Sequence, residues 1–250
     1  MLIKKIYRNL KNKYRLLILK KSKGYENLAL NKSILKKTVA YSKITSTNKN
    51  DINYKRTLIF LRFIKKKKFK NIIDFGGGAG YHYFISKKKF PDLNFKWFIV
   101  ENRTIVKLCT KKLKCKNLFF FNSLNKIKKA DIIFFSSSIN YTKNPAETIK
   151  STIKLRPKYL YFTRTPLTKN QSIKYKQISL LSENGPIKIK NEKEKIIEYE
   201  NKIINIKEFE DMFKDKFVIK KKYIDQKNVF LNKNTYFNTY TYIFKKKLDF

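Results

Sequence analysis

Four of the six glycines in this 250-residue chain fall close together, and no other feature constrains the fold as strongly. They are Gly76, Gly77, Gly78 and Gly80, preceded by an apolar segment of strand-like composition and followed by a helix-compatible one. Because glycine adopts backbone conformations closed to other residues and lets the backbone approach a ligand, this cluster predicts a turn from a strand into a helix. Such a turn directs free N–H groups and the positive end of a helix dipole towards a ligand.

The spacing of the turn, Asp74-x-Gly76-x-Gly78-x-Gly80, separates it from two phosphate-binding motifs. A dinucleotide-binding G-x-G-x-x-G motif requires glycine where the chain has Tyr81, and a P-loop requires a closing Gly-Lys-Ser/Thr that the segment lacks. The acid-x-Gly-x-Gly-x-Gly pattern resembles instead the first motif of class I methyltransferases that use S-adenosylmethionine (SAM). The resemblance implies that the turn lies against the methionine and ribose portions of SAM. A dinucleotide-dependent oxidoreductase is the alternative.

An acidic residue at the end of the next predicted strand supports the same interpretation. The segment 95–100 is apolar and aromatic, and it ends in Glu101. The separation of Gly80 and Glu101 is that of a βαβ unit, in which the acid that ends the second strand binds ribose hydroxyls. Glu101 is therefore a predicted cofactor-binding residue, identified by a different criterion from the glycine turn.

The remaining pattern alternates helices and strands, as in an α/β fold. Predicted helices cover 25–46, 53–64, 81–89, 104–114 and 205–213, and a further helix starts at Asn144, with Pro145 and Glu147 as start signals. Apolar runs without alternation, typical of parallel strands buried on both faces, lie at 118–121, 130–135 and 159–162. Asp131 begins its strand, away from the ligand-binding end, and is predicted to be structural.

The last two predicted strands, 217–224 and 236–244, have only a loop between them, which predicts an antiparallel pair at one edge of the sheet. Residues 168–204 are polar and are predicted to be irregular, apart from a short strand near 178–181. We divide the chain into an N-terminal helical extension, residues 1–64, and a SAM-binding methyltransferase domain, residues 65–250.

The formal net charge of +42 bears on the partners of the chain. Lys and Arg number 60 against 18 acids, and arginine contributes only seven of the 60. The abundant residues have A/T-rich codons, but that bias does not explain the scarcity of acids, so a polyanion or an anionic membrane is an alternative partner. Nucleic acid is not favoured, because sequence-specific readers rely on arginine for base contacts.

Location and metal content follow from other parts of the composition. Cys109 and Cys115, without a secretory segment, predict a reducing cytoplasm. One histidine and no C-x-x-C pair predict no metal site. Residues 2–20 place apolar side chains at helical spacing between basic ones, which predicts a helix that docks on the domain or lies on the inner face of an anionic membrane.

Taken together, these segments resemble a bacterial family of class I methyltransferases often encoded among surface-polysaccharide biosynthesis genes. The resemblance rests on Asp74–Gly80 with His82–Phe84, Trp97–Glu101, Ser136–Ser138 with Tyr141, and Arg164–Leu167. It implies a Rossmann-like α/β fold with a mostly parallel seven-stranded sheet of order 3-2-1-4-5-7-6, helices on both faces and the N-terminal helical extension. The family's proline- and aromatic-rich segment before the last helix is not evident; Tyr199–Lys202 stand near its position.

The function implied by the resemblance is SAM-dependent O-methylation of a sugar or small acceptor in surface-glycan biosynthesis. An RNA methyltransferase or a non-catalytic nucleic-acid-binding protein is the alternative that the net charge supports. The implied cofactor-binding residues are Asp74, Phe75, Gly76, Gly77, Gly78, Gly80, Glu101, Asn122, Ser123, Ser136 and Ser137.

Within that set, Asp74 is expected near the methionine end of SAM, Glu101 at the ribose, and Asn122 with Ser123 near the adenine. Ser136, Ser137 and Ser138 follow the fourth strand, at the sheet edge where α/β proteins bind ligands. Ser138 and Arg164 are the predicted substrate-binding residues, with Arg164 receiving an anionic acceptor.

Methyl transfer depends mainly on positioning, although an alcohol acceptor also benefits from a base. The only histidine, His82, is one candidate, because imidazole exchanges protons near neutral pH. The alternative is that His82 hydrogen-bonds the cofactor or caps the helix. Tyr141 is the second candidate.

Overall fold

A computed structural model describes residues 21–44, 51–231 and 236–248 of the chain. The helix predicted over residues 2–20 lies outside the described residues. Ten described strands form the sheet: β1 (Lys21–Lys23), β2 (Asn71–Phe75), β3 (Lys96–Val100), β4 (Leu118–Phe121), β5 (Ile132–Ser136), β6 (Tyr159–Thr168), β7 (Ile173–Leu180), β8 (Ile196–Asn205), β9 (Phe217–Phe230) and β10 (Tyr236–Lys246).

Seven of these strands form the predicted sheet, in the spatial order β4-β3-β2-β5-β6-β10-β9. Numbered along the chain within this set, the order is 3-2-1-4-5-7-6, as predicted. The first five are parallel to one another, whereas β10 is antiparallel to both β6 and β9. Buried apolar runs without alternation, such as that of β5, suit strands covered on both faces.

Six helices accompany the described strands: α1 (Leu28–Lys43), α2 (Ile52–Lys66), α3 (Tyr81–Lys89), α4 (Arg103–Lys112), α5 (Pro145–Lys154) and α6 (Ile206–Asp211). Five of them begin at an Asn or Asp whose side chain accepts a backbone N–H of the first turn, which satisfies donors that a helix start leaves unpaired. Gly80 precedes α3 in the left-handed conformation, with φ of 93°.

The core consists of two aromatic-rich layers, one on each face of the sheet. On one face, Phe60 of α2 stacks on Phe134 of β5 with ring centroids 3.9 Å apart. On the other, Phe162 of β6 contacts Phe209 and Phe213 in and beyond α6. Helix α2 crosses the position between residues 64 and 65, at which the sequence analysis divides the chain. The division into two domains stays a prediction.

Residues 168–204 contain more strand than predicted: the short strand predicted near 178–181 overlaps the end of β7, whereas the rest was predicted to be irregular. They contain β7 and β8, which pair antiparallel, while β1 pairs with β8 in parallel. The end of β8 also pairs with the end of β6, through Leu167↔Ile204 and Thr168↔Asn205. This three-stranded extension, which we call the insertion sheet (β1, β7 and β8), therefore stands at the carboxyl end of the main sheet.

Asp131 ties the start of β5 to the start of β2, in agreement with its predicted structural role. Its Oδ2 accepts the backbone N–H groups of Lys70 and Asn71 at 2.9 and 3.0 Å, and its Oδ1 lies 3.2 Å from Lys158 Nζ. Burial alone raises the pKa of the Asp131 carboxyl, but the two amides and the Lys158 ammonium outweigh it, so the pKa is lowered.

Candidate functional site

A cavity of about 430 Å³ opens at the carboxyl ends of β2, β3, β4 and β5. This is the edge at which open α/β sheets bind ligands. Eight of the predicted site residues line it: Phe75, Gly76, Glu101, Asn122, Ser123, Ser137, Ser138 and Tyr141. We call it the first cavity.

The glycine turn packs so closely against its surroundings that side chains are excluded at two positions. A Cβ on Gly76 would lie 2.5 Å from Ser138 Cβ, and φ at Gly76 is 71°, where other residues are strained. A Cβ on Gly77 would lie 2.5 Å from the Asp74 carboxyl carbon. Glycine at these positions therefore lets the turn pack directly against Ser138, which follows β5, and against Asp74.

Asp74 lies beneath the turn and does not line the first cavity. Its side chain is fully buried, and Oδ2 accepts the Trp97 indole N–H at 3.2 Å and contacts His82 Nδ1 at 2.9 Å. Oδ1 has no hydrogen-bond partner among the described residues. His82 is likewise absent from the lining of the cavity, so Asp74 and His82 form a pair that supports the turn.

Glu101 follows β3 and presents a carboxylate at the first cavity. Its Oε1 accepts Gly78 N–H at 3.2 Å, and its Oε2 accepts Asn102 N–H at 2.9 Å. Desolvation by the surrounding protein raises the pKa of Glu101, although these N–H donors oppose the shift. An ionised carboxylate can accept about four hydrogen bonds, so capacity remains for a ligand hydroxyl.

Polar residues after β4 and β5 complete the lining. Ser123 Oγ accepts Asn125 N–H and starts the short 3₁₀ turn Leu124–Lys126 beside Asn122. Ser138 Oγ is buried without a hydrogen-bond partner among the described residues, although Ser138 lines the cavity. Ser136 does not line the first cavity. Arg164 Nη2 donates to the Ser136 carbonyl at 3.3 Å and to Ser136 Oγ at 3.1 Å.

A second cavity of about 380 Å³ adjoins the first, because Ser137 and Tyr141 line both. Its other walls come from α2, the turn after β5, strands β6, β9 and β10, and the insertion sheet. Their polar members include Arg56, Asn140, Arg164, Tyr175, Gln177 and Asn201. The structure therefore brings Arg164 to a cavity next to the one lined by Glu101.

The position of Arg164 within β6 differs from the sequence interpretation, in which it follows the strand. Strand β6 continues to Thr168, and its pairing with β10 skips from Phe162↔Tyr242 to Thr165↔Tyr240. Arg164 lies in the resulting β-bulge with φ of 55°. Pairing with β5 nevertheless ends at Thr163, so Arg164 still faces the carboxyl edge of the parallel strands.

Several residues of the two cavities are absent from the sequence-based set: Tyr25, Arg56, Asn102, Asn140, Tyr175, Gln177 and Asn201. Tyr25 packs against both Tyr141 and Tyr199, with ring centroids 5.1 and 4.5 Å apart. Asn102, adjacent to Glu101, is recognisable from sequence only as the cap of α4. The signal for Tyr175 and Gln177 is the alternation of exposed lysines in β7, which is typical of a strand.

Solved structures with the same architecture include the N-terminal domain of EvdMO1, crystallised in the presence of S-adenosyl-L-homocysteine (SAH) and D-fucose. It is 8% identical to this chain, with a TM-score of 0.50 over 81% of this chain and 86% of that one. The chain has the class I methyltransferase fold.

Two further solved structures are similar at lower TM-scores. The N-methyltransferase NodS from Bradyrhizobium japonicum WM9, in complex with S-adenosyl-L-homocysteine (SAH), is 11% identical, with a TM-score of 0.47 over 84% of this chain and 98% of that one. PH0226 from Pyrococcus horikoshii OT3 is 15% identical, with a TM-score of 0.46 over 84% and 99%. No family model and no curated protein matches the chain.

The residues at the first cavity suit SAM by their chemistry. Glu101 offers an acceptor for ribose hydroxyls, and Gly76 of the turn lines the cavity with backbone alone. The buried, unpartnered Ser138 Oγ is a further polar group that a ligand can satisfy. Across residues 21–44, 51–231 and 236–248, no group of three or more His, Cys, Asp or Glu could hold a metal ion, and no helix is long and apolar enough to cross a membrane.

Proposed function

We propose that this chain is a SAM-dependent methyltransferase whose first cavity binds SAM. The observation that carries the proposal is the cavity itself: in the class I methyltransferase fold, it lies at the carboxyl edge of the sheet, between the glycine turn and Glu101. Glu101 would hold the ribose, Asn122 and Ser123 the adenine, and the turn with Ser137 the methionine portion. When bound, SAM supplies a methyl group on a positively charged sulfur.

We assign Asp74 and His82 to positioning. The Asp74 carboxylate accepts the Trp97 N–H and contacts His82, and it lies against the Gly77 backbone. This arrangement fixes the turn from below. His82 therefore acts through the turn, and a direct role as the base is not supported by its place outside the cavity lining.

Tyr141 lies where the two cavities meet, and we propose that it orients the acceptor. Burial, followed by the neighbouring Tyr199, raises the pKa of the Tyr141 phenol, so it keeps its proton at neutral pH. It donates to Gln177 Oε1 at 3.0 Å. A protonated phenol can align an acceptor hydroxyl, and alignment is the main contribution that methyl transfer needs from the protein.

For the acceptor, we propose a hydroxyl of a sugar or small sugar-linked molecule in surface-glycan biosynthesis, methylated in the cytoplasm or at the inner face of the membrane. Support comes from the family resemblance and from the amide- and phenol-rich walls of the second cavity, which suit hydroxyl groups. The rival is an RNA acceptor, which the net charge of +42 favours.

A dinucleotide-dependent oxidoreductase is less compatible with the strand order. Dinucleotide-binding folds typically run 3-2-1-4-5-6, whereas here β10 is inserted antiparallel between β6 and β9. The glycine spacing, with Tyr81 at the third glycine position of the fingerprint, points the same way.

The acceptor proposal is tested by supplying methyl-labelled SAM with nucleotide-sugar fractions, lipid-linked glycan fractions or total RNA, at about physiological salt. At this salt, weak phosphate-driven RNA binding is suppressed. We expect label in a glycan fraction. Label in RNA and not in glycan would overturn the proposed acceptor while supporting methyl transfer.

A further inference from the structure

We propose that the second cavity recognises its acceptor by an oxyanion, a phosphate or a carboxylate, held between the guanidinium groups of Arg56 and Arg164. This inference rests on the proposed methyltransferase function, because it treats the second cavity as the acceptor site. To the anionic acceptor predicted at Arg164 it adds the kind of anion, an oxyanion, and a second residue that binds it, Arg56.

Arg164 is held rigidly at the cavity. Its backbone N–H donates to Asp225 Oδ2 at 2.8 Å, in the bulge that turns its side chain out of the regular strand. Its Nη1 donates to Asn53 Oδ1 at 3.0 Å and its Nη2 to Ser136. These contacts use at most three of the five N–H donors of a guanidinium, so donors remain for a ligand.

Arg56 and Arg164 place two positive charges at one cavity. Among the described residues, no carboxylate lies within ion-pair distance of either guanidinium, and Arg56 is half-buried. The charges of two acids, Asp225 and Asp51, act on Arg164 from beyond ion-pair distance. Asp225 accepts hydrogen bonds from Thr241 Oγ1 and the Arg164 backbone N–H, and Asp51 Oδ1 accepts the Asn53 N–H. Burial, and then the positive charge of Arg56, lower the pKa of Arg164.

Two like charges at one cavity repel, and an anion between them would remove the repulsion. The planar guanidinium matches the geometry of carboxylate and phosphate oxygens and can bind them through two parallel hydrogen bonds. The pair therefore fits a ligand oxyanion better than it fits a structural role.

The rest of the cavity wall is uncharged and combines apolar side chains with a cluster of amide and phenol groups. Asn140 Nδ2 donates to Asn201 Oδ1 at 2.6 Å, and Asn201 Nδ2 donates to Tyr175 OH at 2.7 Å. Asn140 Oδ1 is buried without a hydrogen-bond partner across the described ranges. These groups suit hydroxyls, so the expected acceptor has a hydroxyl-bearing part near Tyr141 and an anionic part at the arginines.

The experiment uses the seven arginines of the chain as separate reporters. Arginine side-chain Nε–Hε NMR signals are assigned by substitution, and the full-length protein is titrated with inorganic phosphate and, separately, with acetate at constant ionic strength. We expect saturable shifts at the signals of Arg56 and Arg164. R56Q should weaken the phosphate response at Arg164 about tenfold or more, since a hydrogen bond between charged groups is lost.

The matched control is R62Q, which removes the same charge from an exposed position on the same helix, α2. It should change the response less than about twofold, because exposed charges are screened. The Arg164 signal is assigned by eliminating the other six, so Arg164 itself stays unchanged and the comparison of R56Q with R62Q decides the outcome. Equal, non-saturating shifts at all arginines, or equal effects of R56Q and R62Q, would overturn the inference.

Two further measurements identify the kind of anion and distinguish failure of the anion site from failure of the proposed function. Titration with glucose 1-phosphate, glucuronate and methyl glucoside distinguishes a phosphate from a carboxylate source, and the neutral glucoside should leave both arginine signals unshifted. SAH binding is measured on the same samples by calorimetry. SAH binding without an arginine response refutes the anion site alone. An arginine response without SAH binding refutes the role of the second cavity as an acceptor site.

Discussion

At the scale of single residues, the contact between Gly77 and Asp74 is one of the two tightest contacts of the glycine turn. We predict that Gly77→Ala destabilises the protein by about 1–3 kcal/mol, as overpacking typically does. The reason is that the new Cβ would meet the Asp74 carboxyl carbon at 2.5 Å. Urea unfolding measures the loss, and SAH calorimetry should show binding weakened in parallel.

A second variant identifies the cause of that loss. Combining Gly77→Ala with Asp74→Ala removes the carboxyl that the new Cβ meets, so the double variant should be less destabilised than the sum of the single ones. Residues in contact are expected to show such coupling. Additive effects would mean that the clash is not the source of the destabilisation.

Asp131 gives the stability a predictable pH dependence. Its pKa is lowered in the folded protein, so its contribution is present above the ordinary carboxyl pKa of about 3.9 and is lost as the pH falls through the folded-state value. Asp131→Asn should cost about 1 kcal/mol at pH 7. The difference from wild type should shrink at pH 3.5 in urea unfolding; a difference that grows on acidification would contradict the assignment.

At the scale of elements, α1 anchors the insertion sheet through one buried lysine. Lys37 Nζ lies 2.8 Å from Glu192 Oε2 and donates to the carbonyls of Leu181 and Asn184 at 2.9 and 2.7 Å. Lys37→Met should cost about 3–5 kcal/mol, because it leaves a buried carboxylate unpaired. Hydrogen exchange should rise in β7 and β8 more than in β2 and β5.

Lys36→Met is the control for that experiment, since Lys36 is exposed one position away on the same helix. Exposed charges contribute little to stability, so Lys36→Met should be nearly neutral. If both variants lose equal stability, the anchoring role of Lys37 is wrong.

The elements that sequence predicts well are those whose signal is local. The apolar runs of β2 to β5 and the capped start of α5 fall close to their predicted positions. An apolar run and an Asn cap are each visible in a few consecutive residues, whatever the rest of the chain does. Most of the insertion sheet was missed because β7 exposes lysines and β8 buries polar residues such as Asn201 and Lys202 among its apolar ones. The pairing of β7 and β8 is fixed by contact with each other and with β6. Arg56 was missed for the same reason: only the fold brings it beside Arg164.

At the scale of the whole molecule, the two cavities share Tyr141 and Ser137, so a methyl donor in one and an acceptor in the other would meet at a common wall. The pattern of the sequence predicted the first cavity, whose residues follow successive strands. The second depends on α2, the β6 bulge and the insertion sheet, which are distant in sequence. The net charge of +42 is spread along the chain and identifies neither cavity.

The central claim is that the first cavity binds SAM, and calorimetric titration of the full chain with SAH tests it most directly. We predict one-to-one binding that Glu101→Gln weakens about tenfold or more, because a charged acceptor of the ribose hydroxyls is lost. Glu147→Gln, the same change at an exposed position on α5, should leave the affinity unchanged. Absence of SAH binding, or tight NAD binding in its place, would contradict the account.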